Sequence, residues 1–306
     1  LSSSRPADDR GLSRKKALNL DRKRIKKLRT KADCEIDWVI AMKIANAKTI
    51  LLSMPFEADG IPPWSFGGKP ANAFDILLVR LETNDGLVGW GEAFSRGRDI
   101  ALKQTIDTRL LPLILGRDAL CHRPRTVDID HDLRLTGAGF DGSADLINAI
   151  AKELQDLDLY WFEEPVWPPE ARVRQQGLQR IAAGENAGSL HDFMSMISAG
   201  AIDIAQPDVA KTGGLTEVLK IAALCEAHGV EFVPHCALFG PGQVATIHLS
   251  AAHRSTPIFE RLFCDFEIEL YGDATIPKNG KIKVPTGPGL GLEPVPEALE
   301  KFRLSV

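Results

Sequence analysis

Trp161-Phe162-Glu163-Glu164-Pro165, Gly184-Glu185-Asn186, Gln206-Pro207-Asp208 and Pro234-His235 follow one another along the chain at a steady beat. Each closes a short apolar run: Leu159-Tyr160-Trp161-Phe162, Ile181-Ala182-Ala183, Ile202-Asp203-Ile204-Ala205 and Val230-Glu231-Phe232-Val233. The steps from Glu163 to Glu185, to Asp208 and to His235 are 22, 23 and 27 residues, the length of a strand plus a returning helix. Repeated βα units of this period build a parallel sheet. In a (β/α) barrel every strand's C-terminal end opens on one face, where active sites are found. Glu163, Glu185, Asp208 and His235 are therefore expected to face one cavity.

Upstream the rhythm changes. Ala47 to Pro55 is apolar and β-prone, and Phe74 to Thr83 partly alternates before an Asn84-Asp85-Gly86 turn and a returning Leu87-Val88-Gly89-Trp90-Gly91-Glu92. That is a hairpin pattern. Between these strands, Ile61 to Pro70 is too rich in Pro and Gly for regular structure, so a loop carrying Trp64 and Phe66 is expected, either covering a ligand or pinned by its own aromatics. Ile100 to Leu115 is helical in pattern and stops at Gly116. An antiparallel meander followed by helices makes a small α+β domain.

The chain has 306 residues, 44% apolar and 25% charged, which excludes disordered and low-complexity classes. No run of 18 apolar residues occurs, so no spanning helix and no membrane partner are expected. The five cysteines (Cys34, Cys121, Cys225, Cys236 and Cys264) form no C-x-x-C pair, which points to a reducing, cytoplasmic compartment rather than a disulfide framework or zinc knuckle. Net charge is −4, but residues 1 to 41 carry twelve Lys or Arg against six Asp or Glu, a local +6. This basic arm lacks the interleaved aromatics that a single-strand binder uses, so it is expected to be a solvated extension without a specific nucleic-acid role. Met42-Lys43-Ile44 is the expected start of the folded part.

Two carboxylates on neighbouring strand ends, with no Lys or Arg beside them in sequence, repel unless a cation lies between them. Hard oxygen ligands without Cys or clustered His favour Mg²⁺, with Mn²⁺ as the other candidate, over Zn²⁺. The alternative is that one of the glutamates pairs with a basic residue on another element. Asp208 can hydrogen-bond one ring nitrogen of His235 and leave the other to move a proton. Gly213-Gly214 allows a tight turn into the next helix, with a phosphate cradle as the weaker reading.

Together with Val209-Ala210-Lys211-Thr212-Gly213-Gly214, these strings resemble the mandelate racemase subgroup of the enolase superfamily. Gly89-Trp90-Gly91-Glu92-Ala93 resembles that family's capping domain, and Gly280 to Pro285 with Pro288 to Leu292 its C-terminal return to the cap. The resemblance implies an α/β fold, a modified (β/α) TIM-type barrel under an N-terminal α+β cap. The implied division is a basic extension at 1–41, a cap at 42–150, a barrel at 151–270 and a return segment at 271–306. It further implies a Mg²⁺ enzyme that abstracts the proton α to a carboxylate. Glu163 and Glu185 would be metal ligands, His235 the general base or acid, Asp208 its partner, and Glu260 a carboxylic acid that hydrogen-bonds the enediolate. The substrate would be a small carboxylic acid, with a sugar-acid dehydratase first and a 2-hydroxyacid racemase next. A homo-oligomer is also implied.

Eight βα units need roughly 200 residues, whereas Asp141 to Phe263 offers 123. Two or three units are missing, and the join is expected between Ile150 and Ala151. The third metal ligand and a Lys-x-Lys strand end would lie in that stretch. Asp141 and Lys281-Ile282-Lys283 do not replace them. A real deletion would leave an open barrel and make a non-catalytic, ligand-binding descendant the competing reading.

Overall fold

The computed structural model describes residues 42–57, 65–66, 69–70, 72–94, 99–120, 151–152, 154–166, 171–175, 177, 179–253, 258–262 and 264–305. The first sheet has strand order β10-β1-β4-β5, from β1 (Ile44–Glu57), β4 (Ala73–Thr83), β5 (Val88–Ala93) and β10 (Asp265–Phe266). Every pairing in it is antiparallel. The expected hairpin forms between β4 and β5. Its turn closes through the Thr83 and Gly86 amides, with Gly86 at φ 89°.

β1 is apolar on both faces, and the period of two divides its side chains between two cores. Ile50, Leu52 and Met54 join Ile76 and Leu78 of β4 against Phe239, Val244, Leu270 and Phe302. Leu51 and Leu77 turn the other way and pack on Ile106 and Leu111. The expected helix is present as α1 (Asp99–Thr105), a π-helical turn (Ile106–Leu110) and α2 (Leu111–Ile114), ending before Gly116 at φ 73°. Pro112 follows the π turn and has no N–H to give the helix ladder. The Pro- and Gly-rich loop does contain regular structure, a two-residue pair of β2 (Ser65–Phe66) and β3 (Lys69–Pro70). Trp64 lies outside the described residues.

The second sheet is parallel, in the order β6-β7-β8-β9. Its strands are β6 (Phe162–Glu163), β7 (Ile181–Ala183), β8 (Ile204–Ala205) and β9 (Glu231–Phe232); all but β7 are shorter than their apolar runs. Leu159 and Tyr160 are outside β6 and exposed. The helices are α3 (Ala171–Gln175), α4 (Leu190–Ser198), α5 (Leu215–His228), α6 (Pro241–Ala252) and, near the C-terminus, α7 (Pro296–Lys301). Phe193, Ile197, Val218, Ile221 and Cys225 cover one face of the sheet. Ala182, Ile204 and Val233 on its other face pack with Trp161. Among the described residues the parallel sheet has four strands. Residues 121–150, which include Asp141 and the expected join, lie outside them. Lys281 sits in a turn bridged to Lys278.

Cys225, Cys236 and Cys264 are buried free thiols. No helix among the described residues is long and apolar enough to cross a membrane.

One glycine ties sheet to helix. Gly184 follows β7 at φ 131°, and a Cβ there would stand 2.5 Å from the ring of Phe193, which is fully buried in α4. Gly184→Ala should therefore destabilise the protein by about 1–3 kcal/mol through overpacking, read as a lower urea midpoint with an unchanged slope.

Candidate active site

Asp208 and His235 form a parallel backbone bridge three residues beyond the last pair of β8 and β9, in the same register. The Asp208 carboxyl is inaccessible to solvent and both its oxygens are engaged. Oδ1 accepts the Ala210 N–H at 2.8 Å, and Oδ2 lies 2.8 Å from His235 Nδ1. The backbone carbonyl of Asp208 accepts from the Lys211 and Thr212 amides and the Thr212 hydroxyl, which fixes the turn into Gly213-Gly214. A carboxylate only accepts, so Nδ1 carries the proton of that bond and Nε2 faces the strand ends.

His235 Nε2 is 2.9 Å from Glu185 Oε2 and 3.9 Å from Glu260 Oε2. Glu260 is held there by the Cys236 N–H, which donates to its Oε2 at 2.7 Å. Burial alone would push the imidazole pKa down. The hydrogen bonds to Asp208 and Glu185 outweigh it and raise the value to about 9.

The expected absence of a basic neighbour is corrected by Lys211. Its Nζ lies 3.6 Å from Glu185 and 4.0 Å from Asp208, and 4.9 Å from the centre of the Phe94 ring. The sequence carried one trace of this, since Lys211 follows Asp208 by three residues inside the turn. Glu163 stands further out. Its Oε2 accepts from Trp161 Nε1 at 2.9 Å and Gln206 Nε2 at 2.8 Å. Glu164 has a left-handed backbone, φ 36°, and its oxygens take the Gly184 N–H and the Asn186 amide. Burial, with the charge of Glu185 beside it, raises its pKa.

Among the described residues no three His, Cys, Asp or Glu side chains are grouped so that they could hold a metal ion. The donors nonetheless fit a hard dication in kind. Glu163 and Glu185 come from adjacent strand ends, and two buried amide oxygens, Asn186 Oδ1 and Gln206 Oε1, lack hydrogen-bond partners in the protein. A cavity of about 550 Å³ lined by Arg174, Arg180 and Asp203 lies at the opposite, N-terminal ends of the strands. Its arginines are tied to Asp203 and Glu231, so the dyad's chemistry is not there.

Two family models match the chain: the one described as enolase C-terminal domain-like over residues 142–298, and the mandelate racemase / muconate lactonizing enzyme N-terminal domain over residues 63–153. The chain belongs to the enolase superfamily. Within the superfamily it is 36% identical over 158 residues to D-galactarolactone cycloisomerase of Agrobacterium fabrum, covering 47% of this chain and 42% of that protein. It is 36% identical over 228 residues to D-galactonate dehydratase of Cronobacter sakazakii, covering 73% and 58%. This superfamily member thus spans about half the length of the curated relatives it matches. A solved racemase from Streptomyces coelicolor A3(2) with bound magnesium superposes with a TM-score of 0.71 at 19% identity, over 85% of this chain and 100% of that one. The 3,6-anhydro-D-galactonate cycloisomerase of Zobellia galactanivorans gives 0.68 at 20%, over 86% and 100%. At these identities the structures share the fold.

Lys211 pairs with both Glu185 and Asp208. Lys211→Met should leave the buried Asp208 and the partly buried Glu185 carboxylates less compensated and cost roughly 1–3 kcal/mol at pH 7. Urea denaturation of the two proteins at pH 7 measures the deficit.

Proposed function

We propose that this chain carries the proton-transfer site of a Mg²⁺-dependent acid-sugar dehydratase. The observation that carries this reading is the Asp208–His235 bond, 2.8 Å long, with Nε2 turned towards Glu185, just past the end of β7, and towards Glu260. In this reading residues 42–150 are the cap, residues 151–270 the barrel portion and 271–306 the return segment. Residues 1–41 stand outside the catalytic unit.

Glu163 and Glu185 would hold the metal, with the amide oxygens of Asn186 and Gln206 as the nearby neutral donors. When bound, Mg²⁺ supplies positive charge for the substrate carboxylate as its α-carbon loses a proton. The chain's own residues do the rest. As substrate enters, Nε2 loses its bond to Glu185 and releases its proton to solvent, and the neutral imidazole then takes the α-proton while Asp208 keeps the ring in orientation and stabilises the imidazolium that forms. Glu260, fixed by the Cys236 amide, would act as a carboxylic acid whose O–H donates a hydrogen bond to the developing enediolate.

A dehydration favours this arrangement over racemisation. One imidazole can take the α-proton and return it to the departing β-hydroxyl as water leaves. Racemisation needs a second base on the opposite face, and the dyad supplies one imidazole. The substrate class follows the relatives, whose names include D-galactonate, D-gluconate and L-rhamnonate dehydratases.

His235→Asn should lower exchange of the substrate α-proton with D₂O by about 10²–10⁴-fold while sugar-acid binding persists. A loss below about tenfold would make His235 structural. Glu185→Gln should weaken Mg²⁺ binding in calorimetry, and an unchanged affinity would remove Glu185 from the metal site. D-galactonate, D-gluconate and L-rhamnonate are the acids to assay first.

A further inference from the structure

Glu92, on β5, carries a carboxyl that the dyad chemistry does not use. Its Oε2 crosses to the helix after the His235 loop and accepts the Gly242 N–H at 2.9 Å. The approach leaves no room for side chains. A Cβ on Gly240 would collide with the carboxyl and also meet Ile76, and one on Gly242 would clash with Leu238. Pro241 between them has no N–H and opens α6, so Glu92 takes one of the first free amides of that helix.

As a whole residue Glu92 is partly exposed, yet its carboxyl is enclosed by protein. The titratable groups around it are Asp208 after β8, Cys236 in the loop after β9, and Tyr271, whose buried hydroxyl has no hydrogen-bond partner. All three are acids and none is a cation. On β4 the residue opposite is Leu78. In α6 the titratable residue is His248, whose Nε2 bonds the Leu290 carbonyl. An ionised Glu92 would thus add a second negative charge beside Asp208 without a counter-ion.

We propose that Glu92 is a positioning residue that works as a neutral acid, latching β5 of the cap to the N-terminus of α6 and so holding the loop from His235 to Gly240. Its effect on catalysis rests on the reading of His235 as the proton-transfer residue, whereas the latch itself does not. Burial pushes the carboxyl from 4.5 up to about 8, against the pull of the Gly242 and Gly240 amides. The folded protein then keeps this proton where the unfolded chain has released it. The stabilisation is full below 4.5 and is lost as pH rises through about 8.

The test compares thermal midpoints of the full chain and Glu92→Gln from pH 5 to 9. Gln keeps the size and an acceptor for the Gly242 amide but cannot ionise. The wild-type midpoint should fall by about 5 °C or more relative to Glu92→Gln across that range, and parallel curves would overturn the latch. Glu92→Asp, too short to reach Gly242, should lower the midpoint already at pH 6; an unchanged value would also overturn it. In the D₂O assay, exchange should decline above about pH 8 in the wild type and persist to higher pH in Glu92→Gln. Identical pH profiles would overturn the positioning role, whereas absent exchange in both proteins with diverging midpoints would remove the role of His235 and uphold the latch.

Discussion

The hydrogen bond between Asp208 and His235 is the interaction on which the site depends. It joins two residues 27 positions apart, and it forms because β8 and β9 pair in parallel and the backbone bridge continues to these two residues. Asp208 is wholly buried, so its carboxylate must be satisfied inside the protein. The Ala210 amide and the imidazole do this, and the result aims Nε2 outward. The short turn from Asp208 to Gly214, with Gly213 and Gly214 at positive φ, releases the chain into α5 without disturbing that carboxyl.

Around the dyad the charges form one connected group. Glu185 sits between the imidazole and Lys211, and Glu164 is held next to it by Gly184 and Asn186. Lys211 also leans on Phe94, which follows β5, so the cap contributes to the electrostatics of the strand ends. The cap also makes an apolar contact. Ile50, Leu52 and Met54 meet Phe239 and Val244, immediately after the His235 loop. Packing of the cap and placement of His235 are therefore linked through the same short segment.

Much of this was legible in the sequence. The alternation in β4, the Asn84-Asp85-Gly86 turn and the return in β5 announced the hairpin, because turn chemistry and period-two burial are local properties. The 22-, 23- and 27-residue steps announced the parallel units and their polar ends. The short reach of β6 was not legible. Tyr160 looks like a strand residue by composition, but its hydroxyl bonds Glu231 and its ring faces Arg180, both outside β6. The π turn at 106–110 was equally hidden, since the apolar period of a helix hardly changes when one turn widens.

By itself the sequence determined the element types, the parallel class of the second sheet and the identity of the dyad, because each rests on periodicity or on a motif read along the chain. Only the tertiary structure decided which charges meet. That Lys211 faces Glu185, that Glu260 takes the Cys236 amide, and that Glu92 is enclosed at the start of α6 depend on distances between elements far apart in sequence. Coulomb and desolvation energies follow those distances and not the order of residues, so the electrostatic character of the site emerges only when the strands and the cap come together.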